Sequence, residues 1–293
     1  MRSTPTLPIR VLTHNIRYAT TSPFKGERPW AERRQCLLNE LEYHTRYCNE
    51  SFICLQEVLH NQLEDIHAGL NPSKTSLTQK WAYIGVGRDD GFQAGEYSPI
   101  FYQPAVWELL RWETVWLSET PSKPSKSWDA ASTRIVTIGI FSHRKAGNTV
   151  LALNTHLDDQ GSHSRLEAAR IIISKIHAYQ QGQLGPLISG VFLSGDLNSE
   201  ERQEAYSELT EVGGLQDTYK LVTAPGLRYG NGNTFTGFGY GEAPPKRIDF
   251  ILLDTEKTQS WRVDGYSVIP NRFDDGVYNS DHCAVVADLV LIG

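Results

Sequence analysis

The chain has 293 residues, of which 40% are hydrophobic and 21% charged. That balance excludes a disordered or fibrous protein and supplies material for a large core. The net charge of −6 leaves no global basic footprint, which argues against a long polyanionic partner but leaves room for a locally basic cleft or a metal-bridged phosphate. The chain contains no apolar window of about 18 residues that would span a membrane.

Met1–Pro8 shows no apolar segment before the first strand, so no secretory leader is expected. The cysteines Cys36, Cys48, Cys54 and Cys283 form no C-x-x-C pair and no disulfide-like spacing. Cys36 and Cys54 read as buried thiols, and the chain as intracellular and soluble. Ile9–Leu12 is a short apolar strand running into Thr13-His14-Asn15-Ile16-Arg17. Pro29 suits a first helical turn, and Trp30, Leu37, Leu38 and Leu41 make a stripe that predicts a helix to about Tyr47. Phe52–Leu55 is a second buried strand ending in Gln56-Glu57, followed by Leu59, Leu63, Ile66 and Leu70 at helical spacing.

Trp81–Val86 and Ile100–Tyr102 read as strands. Between them lie a Gly-rich loop, Gly85–Gly91, and Gly95-Glu96-Tyr97-Ser98-Pro99. The Gly-x-Gly there lacks the third glycine and the helix of a dinucleotide site. Val106–Leu117 is a long strand, and the Pro/Ser/Lys-rich Ser118–Ser132 is a loop rather than a linker. Arg134–Phe141 and Thr149–Thr155 pair across the turn Lys145-Ala146-Gly147-Asn148. Ser164-x-x-Glu167 reads as a capping box for a helix that buries Leu166, Ala169, Ile173 and Ile176.

Pro186–Ser194 is apolar on both faces, as a strand buried between layers must be. A short helix follows near Glu201–Leu209, then a loop rich in Gly, Asn and aromatics over Gly226–Glu242. Arg247–Leu253 and Trp261–Ile269 are strands, and Asn279-Ser280-Asp281-His282 enters the last one, Ala284–Leu291. About ten strands and roughly three or four helices emerge, with no repeat and no linker. A single domain over residues 1–293 is expected.

Polar side chains collect where these strands end: Asn15, Glu57, His156, Asp196, Asn198, Asp281 and His282. Taken singly, each has an ordinary reading. Glu57 suits a helix start, and Asn198 with Glu201 makes a capping pair. Seven at equivalent strand ends do not reduce to turn chemistry. Asp249 sits between Ile248 and Phe250 inside an apolar strand, where a lone carboxylate costs several kcal/mol unless paired. His282 is the candidate partner, with Arg247 the alternative.

In order along the chain, Thr-His-Asn15-Ile-Arg, Leu-Gln-Glu57, Asn-Thr-His156-Leu, Ser-Gly-Asp196-Leu-Asn198, Arg-Ile-Asp249-Phe and Ser-Asp281-His282 resemble the endonuclease/exonuclease/phosphatase superfamily. Asn-Ile-Arg-Tyr, the Trp30-x-x-Arg33 helix and Glu-Tyr-Ser-Pro-Ile-Phe-Tyr are most similar to a branch with nocturnin, carbon-catabolite-repressor-type deadenylases and uncharacterised microbial members. The resemblance implies an α/β (α+β) fold, a four-layer αββα sandwich of two packed, mixed, mostly antiparallel sheets flanked by helices. It also implies divalent-metal-dependent hydrolysis of a phosphate ester.

Carried over by motif, Glu57, Asn15 and Asp281 would hold the metal. Asp196 would orient or deprotonate the attacking water, and Asn198 would hold a phosphate oxygen or a second metal. His282, held by Asp249, would contact the phosphoryl group or act as base. His156 would be general acid or phosphate donor. Arg134 and Tyr97 fall near where relatives place phosphate contacts. The absence of a Cys/His set points to Mg²⁺ or Mn²⁺ rather than zinc. Asp158 and Asp159 either recognise a substrate hydroxyl or cap the following loop, with the loop role favoured.

The acidic total favours a small phosphorylated molecule or a short nucleotide end as substrate. A 3′–5′ exonuclease on single-stranded nucleic acid is the alternative, with Tyr229, Phe235, Phe238 and Tyr240 as candidate stacking residues. A catalytically silent binding module is the third reading. Neither a membrane nor an obligate protein partner is expected.

Overall fold

The computed structural model describes residues 6–72, 80–222, 227–240, 244–255 and 261–292. Residues 1–5 of the Met1–Pro8 stretch lie outside them, as do the ends of the Gly226–Glu242 stretch at 226 and 241–242. In the first half come β1 (Thr6–Asn15), α1 (Trp30–Thr45), β2 (Phe52–Gln56), α2 (His60–Leu70), β3 (Ala82–Ile84), β4 (Ile100–Tyr102), β5 (Trp107–Trp116) and β6 (Ile135–His143). Then follow β7 (Thr149–His156), α3 (Ser162–Gln181), β8 (Ile188–Asp196), α4 (Glu204–Ser207), β9 (Leu215–Asp217) and α5 (Thr218–Leu221). β10 (Leu227–Gly230), β11 (Asp249–Asp254), β12 (Trp261–Val268) and β13 (Val285–Ile292) complete the chain.

The strands form a seven-stranded sheet, β10-β12-β13-β1-β2-β4-β3, and a six-stranded sheet, β5-β6-β7-β8-β11-β9. Both are mixed: β1–β2, β10–β12 and β7–β8 are parallel, and the other pairs antiparallel. Side chains alternate across each strand, so both inner strands feed two cores. In β2, Phe52 and Cys54 pack between the sheets while Ile53 and Leu55 pack with Leu37, Leu41 and Leu63 of the helices. In β7, Val150 and Ala152 face the other sheet, and Leu151 and Leu153 face Ala169, Ile172 and Ile176 of α3. The result is the αββα sandwich, and burial on both faces is why these strands read as unbroken apolar runs.

Register decides where the polar strand ends go. Asn15 lies opposite Gln56 across the parallel β1–β2 pair, and His156 lies opposite Asp196 across β7–β8. Asp249 opens the antiparallel β11 directly opposite Asp196. β13, antiparallel to β1, starts at the same edge, just after Asp281-His282. One edge of the sandwich therefore receives the carboxyl ends of four strands and the amino ends of two.

Several local expectations are corrected. α3 starts at Ser162 with no side-chain cap of its own. The Asp129 carboxylate instead accepts from the N–H groups of His163 and Ser164 at 3.1 and 2.7 Å, while Ser164 Oγ turns back to Gly161 O. Ala169 and Ile176 are buried as expected, but Ile172 rather than Ile173 joins them, and Leu166 and Ile173 are half-buried. The helix expected from Glu201 begins at Glu204 and runs into a π turn at Glu208–Val212. β9, α5 and β10, of three or four residues each, are too short to carry a period. Cys54 is buried as expected, but Cys36 is only half-buried.

Candidate active site

The chain reverses sharply after three of the converging strands. Arg17, Glu57 and Asn198 all take left-handed backbone conformations, with φ of +58°, +58° and +45°. Each costs a non-glycine residue about 1–3 kcal/mol. The turns bring Glu57, His156, Asp196, Asn198, Asp281 and His282 around a single cleft of about 430 Å³.

Glu57 is fixed from two sides. Its Oε1 accepts from Asn15 Nδ2 at 3.0 Å and its Oε2 from the Tyr18 N–H at 3.1 Å, with Arg17 Nη1 at 3.8 Å. Burial opposes ionisation, but His156, the Asn15 amide, Arg17 and His282 outweigh it and hold the carboxyl at about 2. The second acid of this side, Asp281, is 6% exposed. Burial raises its pKa; His282 works against that and the Glu57 charge adds to it.

Asn15, expected as a metal ligand, reaches both acids of the site. The Arg17 N–H points at Asn15 Oδ1 (3.0 Å) and so fixes the amide's orientation, while Nδ2 donates to both Glu57 and Asp196 at 3.0 Å. Asn15 thereby bridges the two carboxylates.

The other side is built on Asp196. His282 Nε2 and His156 Nε2 lie 3.7 and 3.6 Å from its Oδ2, and the Asn198 N–H donates to its Oδ1 at 2.8 Å. Burial and the facing Asp249 charge raise its pKa, against the two imidazoles and the Asn15 amide. His282 Nδ1 meets Asp249 Oδ2 at 2.9 Å, the predicted pairing. Burial disfavours the imidazolium, yet Asp249 and Asp196 together lift the His282 pKa well above its ordinary value. Arg247, the alternative partner of Asp249, pairs instead with Asp217 and Glu201.

Asn198 is a holder of His156. Its Nδ2 donates to His156 Nε2 and to Leu157 O, both at 3.0 Å. Both amide hydrogens are thereby spent, which leaves no donor for a phosphate oxygen. His156 Nδ1 lies 3.7 Å from Glu96 Oε2.

The two looser assignments divide. Arg134 lines the cleft beside Asp159, its Nη2 bonded to Asp159 at 2.7 Å and its Nε to Asp158 at 3.3 Å. Its buried Nη1 has no hydrogen-bond partner among the described residues. Tyr97 is not brought to the site. Its hydroxyl donates to Phe92 O at 2.8 Å and meets His60 Nδ1 at 3.1 Å, within the core under α2. Asp158 takes the loop role, accepting from the N–H groups of Ala131, Ser132, Gln160 and Gly161.

The sequence reading missed Arg88 and Glu96, joined at 2.7 Å on one wall, and Phe24 at the rim. It also gave no structural role to Arg33. That fully buried guanidinium donates to the carbonyls of Ile16, Arg17 and Asn279, tying the turn after β1 to the loop that delivers Asp281. Of the aromatics in the Gly-rich loop, Phe238 is buried and Tyr229 and Tyr240 are exposed. Only Phe235 reaches the cleft, edge-on to His282 at 5.0 Å.

The family model described as Endonuclease/Exonuclease/phosphatase family matches residues 12–282. The chain belongs to that family. The endonuclease/exonuclease/phosphatase family consists of metal-dependent phosphoester hydrolases, and this chain is one. Among solved structures it is similar to an endonuclease/exonuclease/phosphatase from Bacteroides vulgatus, with 32% identity, TM-score 0.82, and 97% and 99% of the two chains covered. It is also similar to a mannosyl-6-phosphatase from Bacteroides thetaiotaomicron, with 29% identity, TM-score 0.81, and 96% and 99% covered. The human nocturnin catalytic domain shares the fold at 18% identity, TM-score 0.64, with 98% and 97% covered. No curated protein sequence matches the chain.

The residues present fit the divalent cation that the endonuclease/exonuclease/phosphatase family uses. Glu57 is held ionised, Asp281 lines the same cleft, and both offer the hard oxygen donors that Mg²⁺ and Mn²⁺ take. A second buried group, Asp196, Asp249 and His282, places ligand-type atoms within 4.8 Å of one another. There His282 already spends Nδ1 on Asp249 and holds a proton between the acids, which disfavours a further cation. No helix among the described residues is long and apolar enough to cross a membrane.

Proposed function

We propose that the cleft hydrolyses the phosphate monoester of a small polyhydroxylated molecule, a sugar phosphate being the class best supported. The observation that carries this reading is the charge of the walls. Five carboxylates (Glu57, Glu96, Asp159, Asp196 and Asp281) line the cleft against two guanidiniums, Arg88 and Arg134, and the protonated His282. Both guanidiniums are already paired to wall acids, Arg88 to Glu96 and Arg134 to Asp159. A single phosphate can be accommodated at a metal, whereas the flanking phosphates of an oligonucleotide would meet acidic walls. Carboxylates at the mouth suit hydroxyl donors. The 29% identical mannosyl-6-phosphatase, covered almost end to end, supports the same class.

Glu57 and Asp281 would hold Mg²⁺ or Mn²⁺, which when bound neutralises charge on the phosphate oxygens. Asp196, its oxygens steered by Asn15 and the Asn198 N–H, accepts the proton of the attacking water. His282, kept protonated by Asp249, donates to a phosphoryl oxygen and offsets the charge that develops there. His156 is steered by Asn198, with Glu96 facing its Nδ1 side. Arg134 offers its unpartnered Nη1 to the phosphate.

Release of inorganic phosphate is the test, from hexose phosphates, nucleoside monophosphates, inositol phosphates and a single-stranded oligonucleotide, each with Mg²⁺ and with Mn²⁺. Faster turnover of hexose phosphates is expected. Oligonucleotide cleavage well above every small substrate would replace this reading with the exonuclease alternative.

A further inference from the structure

The Gly-rich segment, set aside above as no dinucleotide site, folds into a rigid hairpin. Gly87 N–H donates to Phe92 O, Arg88 N–H to Glu96 O and Asp89 N–H to Ala94 O, at 3.0–3.1 Å. Its glycines answer close approaches. A Cβ on Gly87 would lie 2.3 Å from Ala94 O, and one on Gly95 would lie 2.4 Å from the Asp89 carboxylate. The hairpin holds Arg88 and Glu96 upright as a partition, because both residues, together with Tyr18, line two cavities. One is the catalytic cleft. The other is a shallow, open side compartment of about 420 Å³ reaching Thr20, Thr21, Leu59 and Asp89.

On the proposed reading of the cleft as a sugar-phosphate site, we infer that this side compartment is a second subsite, which takes a neutral polyhydroxylated unit joined to the phosphorylated one. The preferred substrate is then a phosphorylated disaccharide or longer glycoside rather than a free hexose phosphate. Its lining sets the chemistry. The only cation lining it among the described residues, Arg88, is already bonded to Glu96 at 2.7 Å, so a second phosphate has no free receptor there. Thr20 and Thr21 hydroxyls and the Asp89 carboxylate offer hydrogen bonds to hydroxyls, and Tyr18 offers a ring braced by Arg17 stacked at 4.2 Å. The volume lies within the range of small-ligand sites. Binding remote from the phosphate would orient the ester over Asp196 and the metal acids.

The experiment compares kcat/KM for a hexose 6-phosphate with that for a disaccharide carrying the same 6-phosphate on one ring. The wild-type protein and two variants that fill the compartment from its rim, Thr20→Trp and Thr21→Trp, are measured with Mg²⁺ and with Mn²⁺. The disaccharide phosphate is expected to be better by about tenfold or more, mainly through KM, and at least one tryptophan is expected to remove most of that preference. Equal kcat/KM for the two substrates overturns the subsite, as does a preference that survives both tryptophans or passes to a dinucleotide. Failure of the sugar-phosphate reading itself looks different: neither sugar phosphate is turned over while another phosphoester is.

Discussion

Asp249 Oδ2 lies 2.9 Å from His282 Nδ1, and neither residue is more than 4% exposed. An acid at the first residue of β11 and an imidazole 33 positions later form one unit only because β11 and the approach to β13 open at the same edge. The unit keeps His282 charged, and that makes the pairing testable by pH.

The pKa of His282 is raised above its ordinary value of 6.5, so the donor form persists as pH rises past that value and is lost at the raised one. Asp249→Asn removes the carboxylate that sustains the shift. The alkaline limb of the kcat profile is expected to move to lower pH and the plateau to fall by about 10²-fold. An unmoved limb would show that His282 does not need Asp249 to hold its proton.

Glu57 is expected to set metal affinity. Glu57→Gln keeps the shape and the contact with Asn15 but removes the charge. The Mg²⁺ concentration for half-activation should rise by roughly tenfold or more, and a chelator should abolish wild-type turnover. Wild-type metal dependence in the variant would move the cation to another group, with the Asp196–Asp249–His282 cluster the next candidate.

Asp158 is a structural acid within reach of the chemistry. Burial opposes its ionisation, but the Gly161, Ala131 and Ser132 N–H groups and Arg134 outweigh it and hold its pKa well below the ordinary carboxylate range. A depressed pKa stabilises the fold above the unfolded value, near 4. That contribution drains away as pH falls through the lower folded value. Asp158→Asn should cost about 2–4 kcal/mol, seen as a Tm loss of roughly 5–10 °C at neutral pH that narrows below about pH 4. A pH-independent loss would assign the effect to packing.

Gly195 precedes Asp196 with φ +140°, and a Cβ there would lie 2.0 Å from Thr155 O on the neighbouring strand. Gly195→Ala must push β7 from β8 between His156 and Asp196, with an expected cost of about 3 kcal/mol or more in urea unfolding. Unchanged stability would mean that the strand ends are looser than their geometry indicates.

The strands and the residues at their ends were legible because burial on two faces writes an unbroken apolar run, and each run stops where a carboxylate, amide or imidazole begins. Phe52–Leu55 with Glu57 and Pro186–Ser194 with Asp196 are the clearest cases. The buried Asp249 announced its need for a partner by its position. What the sequence does not write is direction within a residue. Asn15 and Asn198 were recognised, but which amide atom faces the cleft depends on the Arg17 N–H and on Leu157 O. The three left-handed turns carry no glycine to mark them. The Asp129 cap on α3 comes from a loop 33 residues before the helix starts, beyond any local pattern. Tyr97 and Glu96 are neighbours pointing opposite ways, and a one-residue choice of face cannot be made without the β-bridge from Val58 to Tyr97.

The central claim is that Asp196 works at the phosphorus, and Asp196→Asn tests it with least disturbance, since the amide keeps the side chain's size. Steady-state kcat on a hexose phosphate at saturating Mg²⁺, with circular dichroism to verify the fold, is predicted to fall by at least ~10³-fold. Turnover within a few-fold of wild type in a folded variant would contradict the account.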